Sequence, residues 1–430
     1  MKLAAPPNGT AGTQSVGGAQ LGLSFNKQTY QQGTYQPQPW HTAHKPIEEA
    51  FLPPPAWYVD QGMYELEIEK VFKQKWMYVG STSQLTGPGS YFTGSVFGKG
   101  YIISRDQDGS IRAFHNVCPH RAAGVAHGEG CTQRFVCPYH GWEFDLEGRF
   151  RGLQGCSDAL QGIKNFRAED VKLAPIRVDV WGVYIFINLA NTPDLPPLKD
   201  YLGKGGEALA AEGVADDDWV FVKRLAYPMK CNWKVMADNY QDGNYHVYLG
   251  HPKLIKALDM DNSVNKLYTN MTSMWGRNTM EETWPEDGSC DQVIRTRQGG
   301  GVDQSYSMIY PNFFVNRYGR WLSTTSVQPL GPNNCLTTFD CYFRKHDLED
   351  SAFIADCLEA ENEIQMEDMD LCFKVQENLR NGIYDAGRYA PIEIPMWYYH
   401  QLLHRDIFGD APGLAAPSTN AKGTRLQQEA

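Results

Sequence analysis

"NVCPHRAAGVAHGEGCTQRFVCPYHGWEF", residues 116–144, carries Cys118, His120, Cys137 and His140 as C-x-H, sixteen residues, then C-x-x-H. Two cysteines and two histidines suit zinc, but a Cys-x-His first knuckle is not finger spacing. The loops also carry Pro119, Pro138 and Gly141 where a finger would place a helix. A pair of irons bridged by sulfide fits this set better, with two thiolates on one iron and two imidazoles on the other. That reading gives Cys118 and Cys137 to one iron, and His120 and His140 to the second, of a [2Fe–2S] cluster.

The rest of the chain bounds what such a cluster serves. With 430 residues, 42% of them hydrophobic and 21% charged, the sequence is long enough for two packed cores. A net charge of −11 argues against a nucleic-acid or anionic-membrane surface, since phosphate binding needs a basic footprint. The longest apolar run, around "VWGVYIFINLA", falls short of the ~18 residues a membrane span needs. Ten cysteines are too sparse for a disulfide-stapled secreted fold, so a soluble intracellular protein is expected. The first 47 residues hold no Asp or Glu and read as a disordered tail. A plastid transit peptide is also acid-poor but should carry Arg, and none is present.

Apolar residues Met63, Leu66, Ile68, Val71 and Phe72 predict a helix capped by Asp60. From Tyr91 the pattern turns to short alternating runs, with "DQDGS" as a turn and "VWGVYIFINLA" as a closing strand. "NTPDLPPLKDYL" reads as a proline-rich linker. Beyond it, strand-like segments ("WVFVKRLAYPMK", "WLSTTSVQPLG", "CLTTFDCYFRK") surround helical stretches near Trp233 to Leu254 and from about Asp350 to Leu379. The expected fold is α+β. It comprises a tail (1–47), an N-terminal helix with a β-rich cluster domain (48–195), an α+β catalytic domain with an antiparallel sheet (196–412) and a C-terminal tail (413–430). No dinucleotide or ATP loop motif is present in the sequence.

A one-electron cluster needs an acceptor, and "CNWKVMADNYQDGNYHVYLGHPKL", residues 231–254, offers His246, His251, Asp238 and Asp242. Five residues of regular helix leave the two histidines about 140° apart, so both reach one metal only if the helix bulges or ends between them. Gly250 marks a place for that break. Asp242 and His246 are one turn apart. Two histidines and one carboxylate form the facial triad of non-heme Fe(II) oxygenases, which leaves positions open for O₂ and substrate. In "ENEIQMEDMDLCFKVQENL", Asp368 shares the apolar face of Ile364, Leu371 and Val375, either as the third ligand or in a buried salt bridge.

The Cys/His segment resembles Rieske proteins, and "CPYHGWEFD" resembles their oxygenase branch. Arg121 and Gly141 stand where the electron-carrier branch places disulfide-forming cysteines. Cys131, left without a role, reads as a small buried hydrophobe. From Phe51 to Leu403 the sequence is similar to the choline monooxygenase family of plants, through "NWK…DNYQDGNYHVYLGH", "YPNFFVNRYGRW", "QMEDMDLCFKVQ" and "YDAGRYAPIE". The resemblance implies mononuclear Fe²⁺ held by His246, His251 and Asp368. It also implies a homotrimer in which the Rieske cluster of one subunit faces the iron of the next. Electrons would come from NAD(P)H through a separate reductase or ferredoxin, as no flavin motif is present. Many relatives bridge the two metals with an acid three residues before the first iron-binding histidine. Here that position is Gly243, so the bridge falls to Asp242 or to Asp238.

The same resemblance implies oxidation of choline to betaine aldehyde, with Phe314, Trp321 and Trp397 foremost as an aromatic cage, among Phe313, Tyr384 and Tyr389. Trp397 and Tyr398 replace histidines of the plant enzymes, and Phe373 replaces an acid. Another amine or an aromatic ring therefore stays open as substrate. A Rieske electron carrier would have no use for a facial triad.

Overall fold

Alternation in "GKGYIISRDQDGSIRAFHN" becomes a hairpin, Lys99–Arg105 against Ile111–His115, closed where Gly109 takes a positive φ. The computed structural model describes residues 40, 42–43, 45–155, 157–190, 192–257, 259–277, 304–409 and 425–428. The hairpin lies inside a seven-stranded antiparallel sheet. Its order runs Met77–Ser81, Tyr184–Asn188, Pro175–Trp181, Ile111–His115, Lys99–Arg105, Ser90–Val96, Glu129–Cys131. A separate three-stranded sheet, Phe135–Val136, Trp142–Phe144 and Phe150–Leu153, carries the second Cys/His knuckle. "VWGVYIFINLA" is thus not one strand: Gly182, at φ +57°, turns the chain so that Tyr184 pairs with Trp181.

The second half builds an eight-stranded sheet from Trp219–Met229, Asn334–Arg344, Trp321–Gly331, Phe313–Arg317, Gln304–Ile309, Met271–Arg277, Asp259–Tyr268 and Arg425–Gln428. All neighbours are antiparallel except the last pair. Parallel pairing of Arg425–Gln428 removes those residues from the expected C-terminal tail, most of which lies outside the described residues. The N-terminal tail needs a similar correction. Residues 1–39 lie outside the description, but Trp40, Ala43 and Ile47 are buried, and Trp40 Nε1 donates to the Phe51 carbonyl at 2.9 Å. A tryptophan that packs edge-on against Trp57 is a core residue, whatever the polarity of its neighbours.

Helices α1 (Ala56–Val59) and α2 (Gln61–Glu67) open the chain, and Asp60 caps α2 by accepting from Met63 N at 3.0 Å. α3 (Leu198–Ala211) occupies the stretch expected to be linker. The three prolines of that stretch, Pro193, Pro196 and Pro197, all precede the first turn, where they do not interrupt the helix, and Leu198, Tyr201, Leu202 and Leu209 are buried.

α4 (Trp233–Gln241), the one-turn α5 (Val247–Gly250), α6 (Ser351–Arg380) and α7 (Ile394–Phe408) complete the set used below. Glu67 of α2 accepts from Trp233 Nε1 (2.7 Å) and Lys234 Nζ (2.5 Å) in full burial, which fixes the start of α4. α4 packs on α6 and α7. Together these contacts bring the sequence-distant ends of the site into one place.

Candidate active site

The two Cys/His knuckles have the same backbone design. In each, the N–H of the cysteine reaches the carbonyl five residues on, Cys118 to Ala123 and Cys137 to Trp142, both at 2.8 Å. In each, the fourth residue after the cysteine, Ala122 or Gly141, has positive φ and donates back to the cysteine carbonyl. A Cβ on Gly141 would lie 2.3 Å from the Gln154 carbonyl oxygen, so glycine is required there. The turns bury both cysteines and leave His120 exposed at the tip.

Burial and the neighbouring Cys137 thiol push the Cys118 thiol up, and the two imidazole rings lie 4.5 Å apart. His120 stacks on Trp142 at 4.8 Å. His140 Nδ1 is buried with no hydrogen-bond partner. The four side chains thus form a sulfur pair and an imidazole pair, and among the described residues they do not gather round one ion. That arrangement, with an imidazole nitrogen unpaired in a buried position, suits a two-iron cluster and not tetrahedral zinc. Cys131 is exposed, contrary to the buried reading.

The second site forms where the 233–254 segment breaks twice. α4 stops at Gln241, Gly243 and Asn244 take φ values of +72° and +64°, and α5 then lasts one turn before His251 leaves it extended. The expected break at Gly250 is present; the earlier one was not foreseen. With both breaks in place, His246 Nε2 and His251 Nε2 are 3.2 Å apart, and Asp368 Oδ1 is 3.4 and 3.1 Å from them. Edges of ~3 Å are those of an octahedron with ~2.1 Å metal–ligand bonds. Among the described residues this is the only set of three or more such donors placed to share an ion.

Each histidine turns its other nitrogen to a carboxylate. His246 Nδ1 faces Asp242 Oδ2 at 2.8 Å, and His251 Nδ1 faces Glu367 Oε2 at 2.7 Å. Such partners fix the tautomer that offers Nε2 to a metal. Glu367 was not recognised as a partner from sequence, although it immediately precedes Asp368. Burial opposes charge on His246, but Asp242 and Asp368 outweigh it and push its pKa up to about 10. Burial would raise the Asp368 pKa, yet both histidines hold it well below the usual carboxylate range. So much anionic charge around two imidazoles calls for a cation, and Fe²⁺ matches the donor set.

Asp242 also accepts from the backbone N–H groups of Tyr245 (3.0 Å) and His246 (2.8 Å). It reaches His246 through the left-handed pair Gly243–Asn244 and not along a helix face as expected. Gly243 has no room for an acid: a Cβ there would lie 2.1 Å from the Ile392 carbonyl. Asp238 does not touch His246 in the described contacts. It accepts from Tyr58 Oη (2.6 Å) and pairs with His400 Nε2 (2.9 Å), whose Nδ1 meets Tyr389 Oη at 2.7 Å.

Two cavities flank His246. A large one of about 590 Å³ exposes Asp238, Asp242 and Glu393 among apolar residues of α6 and α7. Burial, together with the charges of Asp242 and Asp238, pushes the Glu393 pKa up to about 7. The smaller, about 60 Å³, is lined by His246, His251 and Asp368 and walled by Tyr240, Tyr306, Tyr318 and Phe339.

None of Phe314, Trp321 and Trp397 is among the described residues lining the small cavity. Phe314 packs behind Tyr240 (4.4 Å) and Trp321 behind Tyr318 (4.7 Å), one layer out. Trp397 is buried in the main core, Phe313 stacks on Tyr78, Tyr389 holds His400, and Tyr384 lines the large cavity.

Comparison with known proteins agrees with this geometry. A family profile described as Rieske [2Fe-2S] domain matches residues 75–167, and one described as Ring hydroxylating alpha subunit (catalytic domain) matches 216–407. The chain is 36% identical over 375 residues to a chloroplastic choline monooxygenase of Arabidopsis thaliana, covering 84% of each protein. It is 27% identical to a carnitine monooxygenase oxygenase subunit of Escherichia coli (strain K12), covering 79% of this chain and 88% of that one.

A solved quaternary ammonium Rieske monooxygenase, described for carnitine oxidation by gut microbiota, superposes with a TM-score of 0.74 at 25% identity. That match covers 87% of this chain and all of the other. A naphthalene 1,2-dioxygenase of Rhodococcus sp. shares the fold alone, at 18% identity and a TM-score of 0.68. The knuckle pair, the two-His-one-Asp set and this likeness along most of its length make the chain a member of the Rieske non-heme iron oxygenases, an α subunit with a [2Fe–2S] cluster and a mononuclear iron.

Proposed function

We propose that the protein is a monooxygenase of a small quaternary ammonium compound, with choline to betaine aldehyde as the leading reaction. The observation that carries the reading is the cavity beside His246, His251 and Asp368. Four aromatic rings wall it, and its described lining holds no Lys or Arg. A quaternary ammonium donates no hydrogen bond, so ring faces are its natural partners, worth ~2 kcal/mol when desolvated. The names of the choline and carnitine monooxygenase relatives point the same way. At ~10–15 Å³ per water-sized group, 60 Å³ suits a ligand of a handful of heavy atoms. That size disfavours a fused aromatic ring system; demethylation of another small amine remains the second reading.

In balanced form, a substrate C–H becomes C–OH with one atom of O₂, and the other leaves as water, using two electrons and two protons. Iron held by His246, His251 and Asp368 supplies the O₂ chemistry, and Cys118, His120, Cys137 and His140 hold the cluster that delivers electrons. The protein's part is to keep each Nε2 aimed inward through Asp242 and Glu367, and to keep the small cavity dry.

The electron path is proposed to cross between copies in a head-to-tail homotrimer. The cluster tip exposes Val117 and Tyr139 beside His120. A second set of exposed apolar residues, Tyr245, Tyr248, Leu249 and Ile383, neighbours in sequence His246 and Tyr384, which line the large cavity together with Asp242. Two such patches on one chain suit heterologous closure into a ring. Asp242 is the proposed bridge because it already holds His246; Asp238 faces the same cavity but is held by Tyr58 and His400.

A separate reductase or ferredoxin drawing on NAD(P)H is proposed as donor. No helix among the described residues is long and apolar enough to cross a membrane. The described cysteines are free, which suits a reducing compartment, the cytoplasm or the plastid stroma.

The ammonium reading is tested by binding. The native protein should bind choline at least tenfold tighter than its neutral isostere 3,3-dimethylbutan-1-ol, roughly 1.4 kcal/mol of cation–ring attraction. Tyr318→Leu or Tyr240→Leu should narrow that ratio by weakening the cation alone. Equal affinities in the native protein contradict the reading.

A further inference from the structure

The polar residues of α6 that face the small cavity remain unexplained by metal binding. Glu361, Gln365 and Asp368 stand at i, i+4 and i+7, one stripe of the helix, and all three line that cavity. Only Asp368 belongs to the metal set. Glu361 is 3% exposed and Gln365 1%, burial that polar side chains do not adopt without a partner or a task.

Glu361 belongs to a chain of hydrogen bonds along the wall. Tyr240 Oη donates to Asn316 Oδ1, Asn316 Nδ2 to Ser323 Oγ at 3.1 Å, and Ser323 Oγ to Glu361 Oε1 at 2.7 Å. This chain fixes the carboxyl group among the rings of Tyr306, Tyr318 and Phe339. Gln365 differs. Its Nε2 meets Met229 Sδ at 3.8 Å, while its Oε1 is buried with no partner. A buried acceptor left open costs about twice what a hydrogen bond contributes, and a ligand O–H would remove that cost.

We propose that this stripe reads the substrate as an ammonium alcohol, with Glu361 beside the cationic head and Gln365 Oε1 accepting the ligand's hydroxyl proton. This deepens the ammonium reading and rests on it. The carbon bearing the hydroxyl then lies on the Asp368 side of the stripe, toward His246 and His251, and the trimethylammonium end lies about a helical turn away. With Glu361 and Asp368 in the wall and no Lys or Arg in the described lining, a ligand with its own carboxylate is disfavoured. Glu361 and Gln365 are thus specificity residues for the length and the polar end of the substrate.

The test uses the iron-loaded protein without O₂ and titrates three ligands by calorimetry: choline, n-propyltrimethylammonium and 3,3-dimethylbutan-1-ol. The first two differ only by a methyl in place of the hydroxyl. Native protein is expected to favour choline over the propyl compound by about tenfold or more. Gln365→Leu should bring that ratio to near one by weakening choline, and Gln365→Met, closer in shape, should do the same if the leucine variant folds poorly. Glu361→Gln should reduce the preference for choline over the neutral alcohol and leave the hydroxyl preference in place. A native protein that binds the propyl compound as tightly as choline overturns the inference, as does a Gln365→Leu variant that keeps the preference. Either result leaves the ammonium reading standing so long as choline outbinds the neutral alcohol. If that last preference is absent, the ammonium reading itself fails.

Discussion

Replacing Asp242 with asparagine is expected to leave both metal sites filled and to slow turnover by roughly 10²-fold, the scale on which groups that orient metal ligands act. Asp242 is no member of the metal set, yet it organises the turn that carries His246 through three hydrogen bonds, one to the imidazole and two to backbone. An amide keeps one oxygen for those donors and loses the charge that favours the Nδ1–H tautomer. It also removes the carboxylate that faces the large cavity, where a neighbouring cluster tip is proposed to seat. Rapid-mixing absorbance of the reduced cluster separates the roles: its reoxidation by O₂ and substrate should slow in step with turnover, while iron content stays constant. Normal reoxidation in Asp242→Asn, together with slow reoxidation in Asp238→Asn, would move the bridge to Asp238.

Asp368→Ala has the larger effect by a different route. It deletes the anionic donor that lies 3.1 and 3.4 Å from the two Nε2 atoms, and no neighbour can replace it, because Glu367 is engaged with His251 Nδ1. Mononuclear iron should be lost and oxygenation abolished, so that iron per chain falls from about three to about two. The cluster's visible absorbance should be unchanged, since Cys118 and Cys137 lie in a separate sheet system. Metal analysis and the absorbance spectrum check both statements. Retention of the third iron in Asp368→Ala would refute the ligand assignment.

The Rieske domain was the most legible part of the sequence, because its pattern is local: two cysteines, two histidines, two prolines and Gly141 within a few turns of chain. The triad was legible only in part. Residue type and spacing proposed His246, His251 and Asp368, but the turn that delivers His246 from the end of α4 depends on left-handed Gly243 and Asn244. A helical reading of 233–254 cannot supply that turn.

Long-range geometry was the main loss. Phe314 and Trp321 were chosen as large aromatics, yet sheet register puts Tyr306 opposite Asn316 and leaves Phe314 in the layer behind Tyr240. Register follows from strand pairing across many residues, which composition does not encode.

α6 misled in an instructive way. Its apolar residues suggested a buried face through Ile364, Leu371 and Val375, but the most buried line is Cys357, Ala360, Glu361, Gln365, Asp368, Cys372, Gln376 and Leu379, and Val375 is about half exposed. The inward line is polar at Glu361, Gln365 and Asp368, which border the small cavity, while half-exposed Val375 lines the large one. Burial by function and burial by hydrophobicity diverge there.

Turnover under ¹⁸O₂ tests the central claim most directly. The iron-loaded protein, a ferredoxin-type reductase with NADPH, and choline are incubated beside naphthalene and L-carnitine in parallel reactions, and products are read by mass spectrometry. Consumption of choline, with one oxygen atom of O₂ entering the carbon that bears its hydroxyl, and with the product trapped promptly as betaine aldehyde hydrate, is the predicted result. Oxidation of naphthalene or L-carnitine with choline untouched would contradict it.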